Sequence, residues 1–237
     1  MPFLRFIKRW LPTGEEVNNP GRFMRQSVAM LRREYKGNPL IEEKMEINPI
    51  DQFEIWFQEA LVAVKDDPNA MLLSTVGNSG QPSCRTVLLK EYDKNGFVFY
   101  TNYESRKSKE LENNPQAALT FYWPDLMRQI RIEGQAEKVS GETSDYYFSK
   151  RPEASKLSAW ASPQSVVVSS REELEKKFRE QEQLFHGKTI TRPPDWGGYL
   201  VKPHRFEFWQ GRVNRLHDRI CYKLDKTKNW TIFRLAP

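Results

Sequence analysis

Three basic side chains near the C-terminus, Arg215, His217 and Arg219, are spaced two residues apart. An extended backbone would point all three to one face, where two guanidiniums and an imidazole could grip a phosphate or a carboxylate. An edge strand whose charges discourage aggregation would show the same spacing. The aromatic stretch from Phe206 to Trp209 precedes them. The pattern therefore indicates a candidate anion site and leaves the edge-strand interpretation open.

A second candidate anion site lies where the strand that carries Tyr100 and Thr101 meets a short helix. Ser105 is placed to cap this helix, and Arg106 and Lys107 fall in its first turn. Unpaired backbone N–H groups and the positive end of the helix dipole attract an anion there. Cations in that turn are mildly unfavourable unless an anion is bound. The pattern predicts a phosphate site, with a solvated basic turn as the alternative.

Two further stretches combine cations with strand or helix spacing. Alternation along a strand puts Arg85 and Lys90 on opposite faces, so that each could orient a different ligand. Tyr147, Arg151 and Ser155 are four residues apart, a helical spacing that could converge three donors on a single phosphate. For the first stretch the alternative is an amphipathic strand whose end charges reach solvent. For the second it is a purely structural, tyrosine-rich helix.

The elements that must position these residues are mainly short strands joined by tight turns. Asn48 and Pro49 predict the start of a helix, with a buried stripe of Phe53, Trp56, Phe57, Ala60, Leu61 and Val64. Other helices are expected at 23–36, at 105–113 and, two or three in number, within 141–185. Strands are expected at 70–76, 83–90, 97–101, 117–123, 127–139, 198–209, 217–223 and 229–234. The short connections exclude βαβ crossovers and favour an α+β fold: a closed or nearly closed antiparallel barrel with peripheral helices.

Composition narrows the classes of function. The chain has 237 residues and a net charge of +6, and its basic residues cluster beside turns, which favours small anionic ligands over nucleic acid. Its two cysteines and three histidines show no metal-ligand spacing. No apolar run reaches the roughly 20 residues of a membrane span. We expect no metal and a cytoplasmic location, with 1–22 as a flexible extension and 23–237 as one domain.

Taken together, the motifs resemble those of the pyridoxamine 5′-phosphate oxidase family from about residue 30 to the C-terminus. They are RREY at 32–35, RTVLLK at 85–90, YTNYESRK at 100–107, YYFSKRPEAS at 146–155, QS at 164–165, WQG at 209–211, RLHDR at 215–219 and RLAP at 234–237. The sequence departs from the family pattern at Lys150 and Lys156, where serine and glutamine are usual.

The resemblance implies an FMN-binding split β-barrel of antiparallel Greek-key type, and a homodimer with FMN at the subunit interface. FMN contacts are implied for Arg85, Thr86, Val87, Leu88, Tyr100, Thr101, Arg106, Lys107, Gln129, Gln164, Ser165, Trp209 and Arg219. Substrate contacts are implied for Arg33, Tyr35, Lys90, Tyr147, Arg151, Ser155, Arg215, Leu216 and His217, with Arg215 and His217 as the catalytic pair. Arg33 and Tyr35 would cover the substrate as a lid.

The implied reaction is the FMN-dependent oxidation of pyridoxamine 5′-phosphate and pyridoxine 5′-phosphate to pyridoxal 5′-phosphate, in which O2 is reduced to H2O2. A split-barrel protein that carries a flavin, a haem or a vitamer without turnover is the alternative. Such a carrier would be expected to lack part of the substrate set, and this sequence keeps it.

Overall fold

The computed structural model describes residues 28, 30, 31 and 33–237, in two compact units, Met1–Tyr35 and Lys36–Pro237. In the first unit Val28 and Met30 are helical, whereas Leu31 and residues 33–35 are not. The predicted helix over 23–36 is therefore wrong in its last turn. Val28 and Leu31 are exposed, so the apolar stripe buries little surface there. The rest of that helix and the extension 1–22 lie outside the described residues.

The first α-helix of the second unit is α1 (Pro49–Ala63), which fills the concave side of the sheet. The Oδ1 atom of Asn48 accepts a hydrogen bond from the Ile50 backbone N–H at 2.9 Å, so the predicted cap is confirmed. Phe53 is fully buried, and its ring contacts four others, those of Phe57, Tyr92, Phe97 and Phe121. The predicted burial of Leu61 is wrong: it is 47% exposed, because it lies on the side of the helix that faces away from the core.

Replacing Phe53 by alanine should lower the free energy of unfolding by about 3–5 kcal/mol, because the core cannot close over the lost ring. Urea denaturation followed by circular dichroism measures this change. The matched control is Val62→Ala on the same helix, where the side chain is 90% exposed. An equal loss of stability in both variants would contradict the assignment of Phe53 to the core.

The sheet of the second unit has nine antiparallel strands in the order β2-β1-β5-β6-β7-β4-β3, with β8 on β7 and β9 on β8. The strands are β1 (Ala70–Val76), β2 (Pro82–Leu88), β3 (Glu91–Asp93), β4 (Gly96–Asn102), β5 (Gln116–Trp123), β6 (Arg128–Lys138), β7 (Trp196–Gln210), β8 (Asp218–Leu224) and β9 (Trp230–Arg234). The remaining helices are α2 (Arg106–Asn113), α3 (Gly141–Lys150), α4 (Glu153–Ala161) and α5 (Arg171–Phe185).

The sheet is curled into a half-barrel around α1. Near the two ends of the strand order, the Lys90 N–H just after β2 donates to the Val98 carbonyl of β4 at 2.9 Å. Buried side chains from β1, β4, β5, β6, β7 and β8 line the concave face. The predicted α+β fold with a nearly closed antiparallel barrel is therefore confirmed, and every strand expected from the sequence is present.

Strand β7 contains one residue more than its partner β6 requires. Glu133 pairs with Arg205 and Gly134 with Pro203, so His204 is left over as a β-bulge. Proline has no N–H to donate, which suits a position beside an interrupted ladder. The extra residue reverses the alternation of side chains. Because of it, Val201 before the bulge and Phe206 after it, five positions apart, both face the core.

Within the described residues no helix is both long enough and apolar enough to cross a membrane. In the same part of the chain, no three His, Cys, Asp or Glu side chains are grouped as metal ligands. Cys84 is an exposed free thiol and Cys221 a buried one.

Candidate active site

A cavity of about 850 Å³ lies between β2, β4, the start of α2 and the junction of α3 with α4. It brings together fourteen of the predicted residues: Arg85, Thr86, Val87, Leu88, Lys90, Tyr100, Thr101, Arg106, Lys107, Tyr147, Arg151, Ser155, Gln164 and Ser165. Five further lining residues were not predicted from the sequence: Ser83, Cys84, Lys150, Pro152 and Trp196. Stretches separated by up to about 110 positions thus meet in one space.

One end of the cavity is the N-terminus of α2. The Arg106 backbone N–H donates to the Ser165 hydroxyl at 3.2 Å. Lys107 is 8% exposed, and its Nζ donates to Thr101 Oγ1 at 3.0 Å and to Gln164 Oε1 at 2.8 Å. A buried ammonium beside a helix N-terminus is arranged to receive an anion. The predicted phosphate position therefore has cations, hydroxyls and backbone donors.

The side chain of Ser105 and the pKa of Lys107 are two further features of this end of the cavity. Ser105 has the extended backbone of a cap residue, but its side chain makes no capping bond. Its hydroxyl lies 3.1 Å from that of Ser108 instead, so the predicted capping role is wrong. Burial, with a smaller contribution from the charge of Arg85, lowers the pKa of Lys107 to about 8. A bound anion would raise the pKa of Lys107 again, because its negative charge opposes the effects of burial and of Arg85.

The other end of the cavity is formed where α3 passes into α4. Tyr147 lies on α3, Arg151 follows its last residue, and Ser155 lies in the first turn of α4. The spacing predicted one helix across all three, but Pro152 separates two helices, because proline cannot continue the first one. The three side chains nevertheless reach the same cavity, so the predicted convergence is retained by a different backbone path.

Aromatic rings support the cations of this end. Tyr100 and Tyr147 stack with ring centroids 3.9 Å apart, and Trp196 lies parallel to Tyr100 at 5.5 Å. The guanidinium of Arg151 lies 4.6 Å from the Trp196 ring centroid, a cation–π contact. Its Nη1 atom is buried and has no hydrogen-bond partner among the described residues. Burial lowers the pKa of Arg151. An acceptor from a ligand would satisfy this nitrogen.

The remaining six predicted residues of the second unit do not line this cavity: Gln129, Trp209, Arg215, Leu216, His217 and Arg219. Gln129, Trp209 and Arg219 form a row across β6, β7 and β8, because Trp209 pairs with both of the others. Trp209 and Trp196 occupy opposite ends of β7, roughly 40 Å apart along an extended strand. One chain therefore carries two separate groups of predicted site residues.

The backbone around Arg215 is a turn, which makes the extended arrangement predicted for Arg215, His217 and Arg219 wrong. Asn214 and Arg215 have φ values of 55° and 61°, and β8 begins only at Asp218. Asparagine tolerates this left-handed region, whereas arginine is strained there. Arg215 and Leu216 are exposed as a result.

His217 is held in one tautomer. Its Nδ1 accepts a hydrogen bond from the Arg212 backbone N–H at 3.0 Å, so the neutral ring carries its proton on Nε2. Its ring centroid lies 4.8 Å from that of Trp209. Burial and the nearby charge of Arg215 lower the pKa of His217, against a smaller opposing effect of Asp218. The imidazole is therefore a neutral hydrogen-bond donor near pH 7.

Arg219 is fixed by a bidentate ion pair. Its Nε and Nη2 donate to the two carboxylate oxygens of Glu207 at 3.0 and 2.9 Å, and its Nη1 donates to the Ala236 carbonyl at 2.8 Å. The planar fork is thus oriented before any ligand arrives.

Arg33 and Tyr35 belong to the first unit, where the guanidinium lies 5.9 Å from the tyrosine ring centroid. Their role as a lid stays a prediction.

Solved structures share this architecture. PhzG from Burkholderia lata 383, in complex with tetrahydrophenazine-1-carboxylic acid, superposes with a TM-score of 0.80 at 31% identity, over 85% of this chain and 100% of that one. A pyridoxamine 5′-phosphate oxidase-related, FMN-binding protein from Nostoc punctiforme has a TM-score of 0.65 at 17% identity, over 81% of this chain and 100% of its own. The curled half-barrel and these neighbours give the chain the split-barrel fold.

Sequence comparison identifies the family. The profile described as pyridoxamine 5′-phosphate oxidase matches residues 57–185, and the pyridoxine 5′-phosphate oxidase C-terminal dimerisation region matches residues 196–237. A relative from Rubrobacter xylanophilus, named pyridoxine/pyridoxamine 5′-phosphate oxidase, is 54% identical over 213 residues, 90% of this chain and 98% of its own. The chain belongs to the pyridoxamine 5′-phosphate oxidase family and is an oxidoreductase.

Proposed function

We propose that this chain is an FMN-dependent oxidase that converts pyridoxamine 5′-phosphate and pyridoxine 5′-phosphate to pyridoxal 5′-phosphate, with O2 reduced to H2O2. The observation that carries the proposal is a single cavity with a cationic anion site at each end, Arg106 and Lys107 at one and Arg151 at the other. Two phosphate-bearing molecules, a cofactor and a substrate, require such a pair of sites. Relatives named for this activity support the assignment.

The residues at the α2 end fit the phosphate of FMN. The N-terminus of the helix, the buried Lys107 and the hydroxyl of Ser165 supply both charge and directed donors. Thr86, Val87 and Leu88 on β2 would run along the flavin ring. When bound, FMN supplies the acceptor for the hydride removed from the C4′ carbon, and O2 then takes up the electrons.

The residues at the opposite end fit the substrate phosphate. Arg151 would satisfy its buried Nη1 on a phosphate oxygen, while Tyr147 and Ser155 offer hydroxyl donors on either side. Lys90 also lines the cavity and would contact the substrate. Holding the pyridine ring at a fixed distance from the flavin is mainly an effect of orientation.

The second group of residues completes the site from the partner subunit in this proposal. A two-fold dimer exchanges equivalent surfaces, so a chain that carries both groups at separate places forms two composite sites. The matched dimerisation region, residues 196–237, contains Trp209, Arg215, His217 and Arg219. In this assembly Gln129, Trp209 and Arg219 contact FMN, and Arg215, Leu216 and His217 contact the substrate.

Within such a site Arg215 clamps the substrate ring and its reacting substituent, and His217 fixes the orientation of the ring. The tautomer of His217 supports this division, because Nε2–H can donate to the substrate while Nδ1 is held by Arg212. Protonation at Nδ1 would break that hydrogen bond. His217 therefore serves better as a donor than as a proton acceptor.

The deciding experiment is an anaerobic half-reaction. Purified protein loaded with FMN should lose its flavin absorbance when pyridoxamine 5′-phosphate is added, and recover it when air is admitted. Pyridoxamine without the phosphate is the control and should bleach the flavin much more slowly. Flavin that binds but never bleaches would reject the oxidase in favour of a non-catalytic binding protein.

The affinity for FMN should depend on pH through Lys107. Its pKa of about 8 in the chain without ligand would rise when a phosphate binds, so binding takes up a proton above that pH. The FMN phosphate is already dianionic there. Affinity should be nearly constant from about pH 7 to about pH 7.5, where the phosphate is dianionic and Lys107 is protonated, and should then fall by roughly tenfold between pH 7.5 and pH 9.

Flavin fluorescence titration at a series of pH values measures this effect. The matched variants are Lys107→Arg, which keeps its charge, and Lys107→Met, which has none; both should show a nearly flat profile. A wild-type profile that is equally flat would mean that Lys107 does not contact the phosphate.

A further inference from the structure

Glu110 of α2 is a buried carboxylate, 7% exposed, at the edge of the phosphate end of the cavity. None of the sequence motifs singles it out. We infer that Glu110 is a positioning residue that fixes Arg85 and Arg106 for the phosphate of FMN. This inference rests on the proposed function and adds to it a residue that need not touch the ligand.

Four donors converge on this carboxylate. Oε2 accepts hydrogen bonds from Thr75 Oγ1 and Ser83 Oγ, each at 2.5 Å, and lies 3.3 Å from Arg85 Nη2. Oε1 accepts from Arg106 Nε at 2.8 Å, one helical turn earlier in the chain. The Glu110 side chain thus joins β1, β2 and α2 and contacts two of the three arginines that line the cavity, Arg85 and Arg106.

The network also fixes the guanidinium of Arg85. Its Nη1 donates to the Leu73 carbonyl at 3.1 Å and to Thr75 Oγ1 at 2.6 Å, and its Nη2 donates to Ser83. Thr75 and Ser83 accept these hydrogen bonds from Arg85, and each donates its own hydroxyl hydrogen to Glu110. Hydrogen-bonded networks of this kind hold each member in one orientation.

The carboxyl group of Glu110 is ionised. Burial by itself would raise the pKa of this carboxyl, but hydrogen bonds from Ser83, Thr75 and Arg106 outweigh it and lower the pKa to about 2. The carboxylate is therefore ionised at every pH at which the binding measurement is made. It offsets part of the repulsion among Arg85, Arg106 and Lys107 before the anion arrives.

Removal of this carboxylate has two opposing consequences for an incoming phosphate. The local positive potential would increase, which favours the anion. Arg85 and Arg106 would lose their common anchor, and preorganisation would be lost with it. We expect the second effect to prevail, because the Arg106 side chain is 62% exposed and its described ion pair is with Glu110.

The test compares FMN with riboflavin, which has the same ring and no phosphate. In fluorescence titrations of the apoprotein, Glu110→Ala should weaken FMN binding roughly 10- to 100-fold, because two charge-assisted hydrogen bonds are lost. Riboflavin binding should stay within about threefold of the wild-type value. Glu110→Gln, which can still accept one of these bonds, should fall between. The control is Glu112→Ala on the same helix, whose carboxylate pairs with Lys138 at 2.6 Å on the surface.

Equal weakening of both flavins would assign Glu110 to the fold alone and overturn the inference. Unchanged or tighter FMN binding would also overturn it. If Glu110→Ala does not fold, Glu110→Gln is combined with Arg106→Gln: the double variant should lose less affinity than the product of the two single losses, and a simple product would reject the coupling. A wild-type chain that binds no FMN would instead reject the proposed function itself.

Discussion

Arg215→Leu is expected to lower the turnover of pyridoxine 5′-phosphate roughly 100-fold or more, the scale of losing one donor aimed at a reacting centre. The FMN affinity of the variant should stay near that of the wild type, because Arg215 is assigned to the substrate and not to the flavin. The exposed guanidinium stands on a backbone with φ of 61°, a conformation that arginine adopts only at a cost. Steady-state H2O2 release and the anaerobic rate of flavin bleaching measure the effect.

A second variant separates the guanidinium from the backbone. Arg215→Gly relieves the strain of a positive φ and should be at least as stable as the wild type, yet it should be as slow as the leucine variant. Arg171→Leu, which removes an arginine from an exposed ion pair on α5, is the control for charge. Wild-type turnover in Arg215→Leu would contradict the clamp, and activity restored by glycine would assign the loss to backbone strain.

Arg151→Met should lower kcat/KM for the phosphorylated substrate roughly 100-fold, because a charge-assisted, bidentate phosphate contact is lost in a half-buried site. The change should appear mainly in KM, since the phosphate is remote from the reacting carbon. The measurement is the ratio of kcat/KM for pyridoxine 5′-phosphate to that for pyridoxine. This ratio should fall toward one in the variant.

Lys156→Met is the matched control for Arg151→Met, because Lys156 lies on α4 beside Ser155 but does not line the cavity. A ratio that Arg151→Met leaves unchanged would remove Arg151 from the substrate site.

The two variants together test the composite site. Arg151 and Arg215 belong to different groups within one chain, so a mixed dimer of Arg151→Met and Arg215→Leu has one intact site and one doubly altered site. Random exchange should give a mixture with about a quarter of the wild-type activity, although each variant alone is nearly inactive. Activity that remains at the level of the separate variants would place both arginines in the site of a single chain.

Local patterns in the sequence were sufficient for the framework of the fold. Asn48, Pro49 and the apolar spacing from Phe53 specify α1. Turn residues separate the strands, in which apolar and polar residues alternate or nearly all residues are apolar. Such features depend on neighbours within a few positions. The short motifs likewise picked out residues that line one cavity, because each motif carries its own donors on adjacent turns.

Features that depend on distant contacts were not predicted. The role of Glu110 rests on Thr75 and Ser83, which reach it from two strands, and only its spacing from Arg106 was visible in the sequence. The turn at Arg215 replaces an extended strand, because two successive residues adopt positive φ values. The separation of the predicted site residues into two groups within one chain follows from the length of β7, which has Trp196 at one end and Trp209 near the other.

The extra residue His204 has a consequence for the geometry of the whole of β7. Trp196 and Trp209 are thirteen positions apart on β7, so a regular strand would show them on opposite surfaces. The bulge shifts the phase by one, and both indoles emerge on the convex side, away from the core. A chain lacking His204 would turn one end of the strand over, and with it every side chain which that end presents on the convex side.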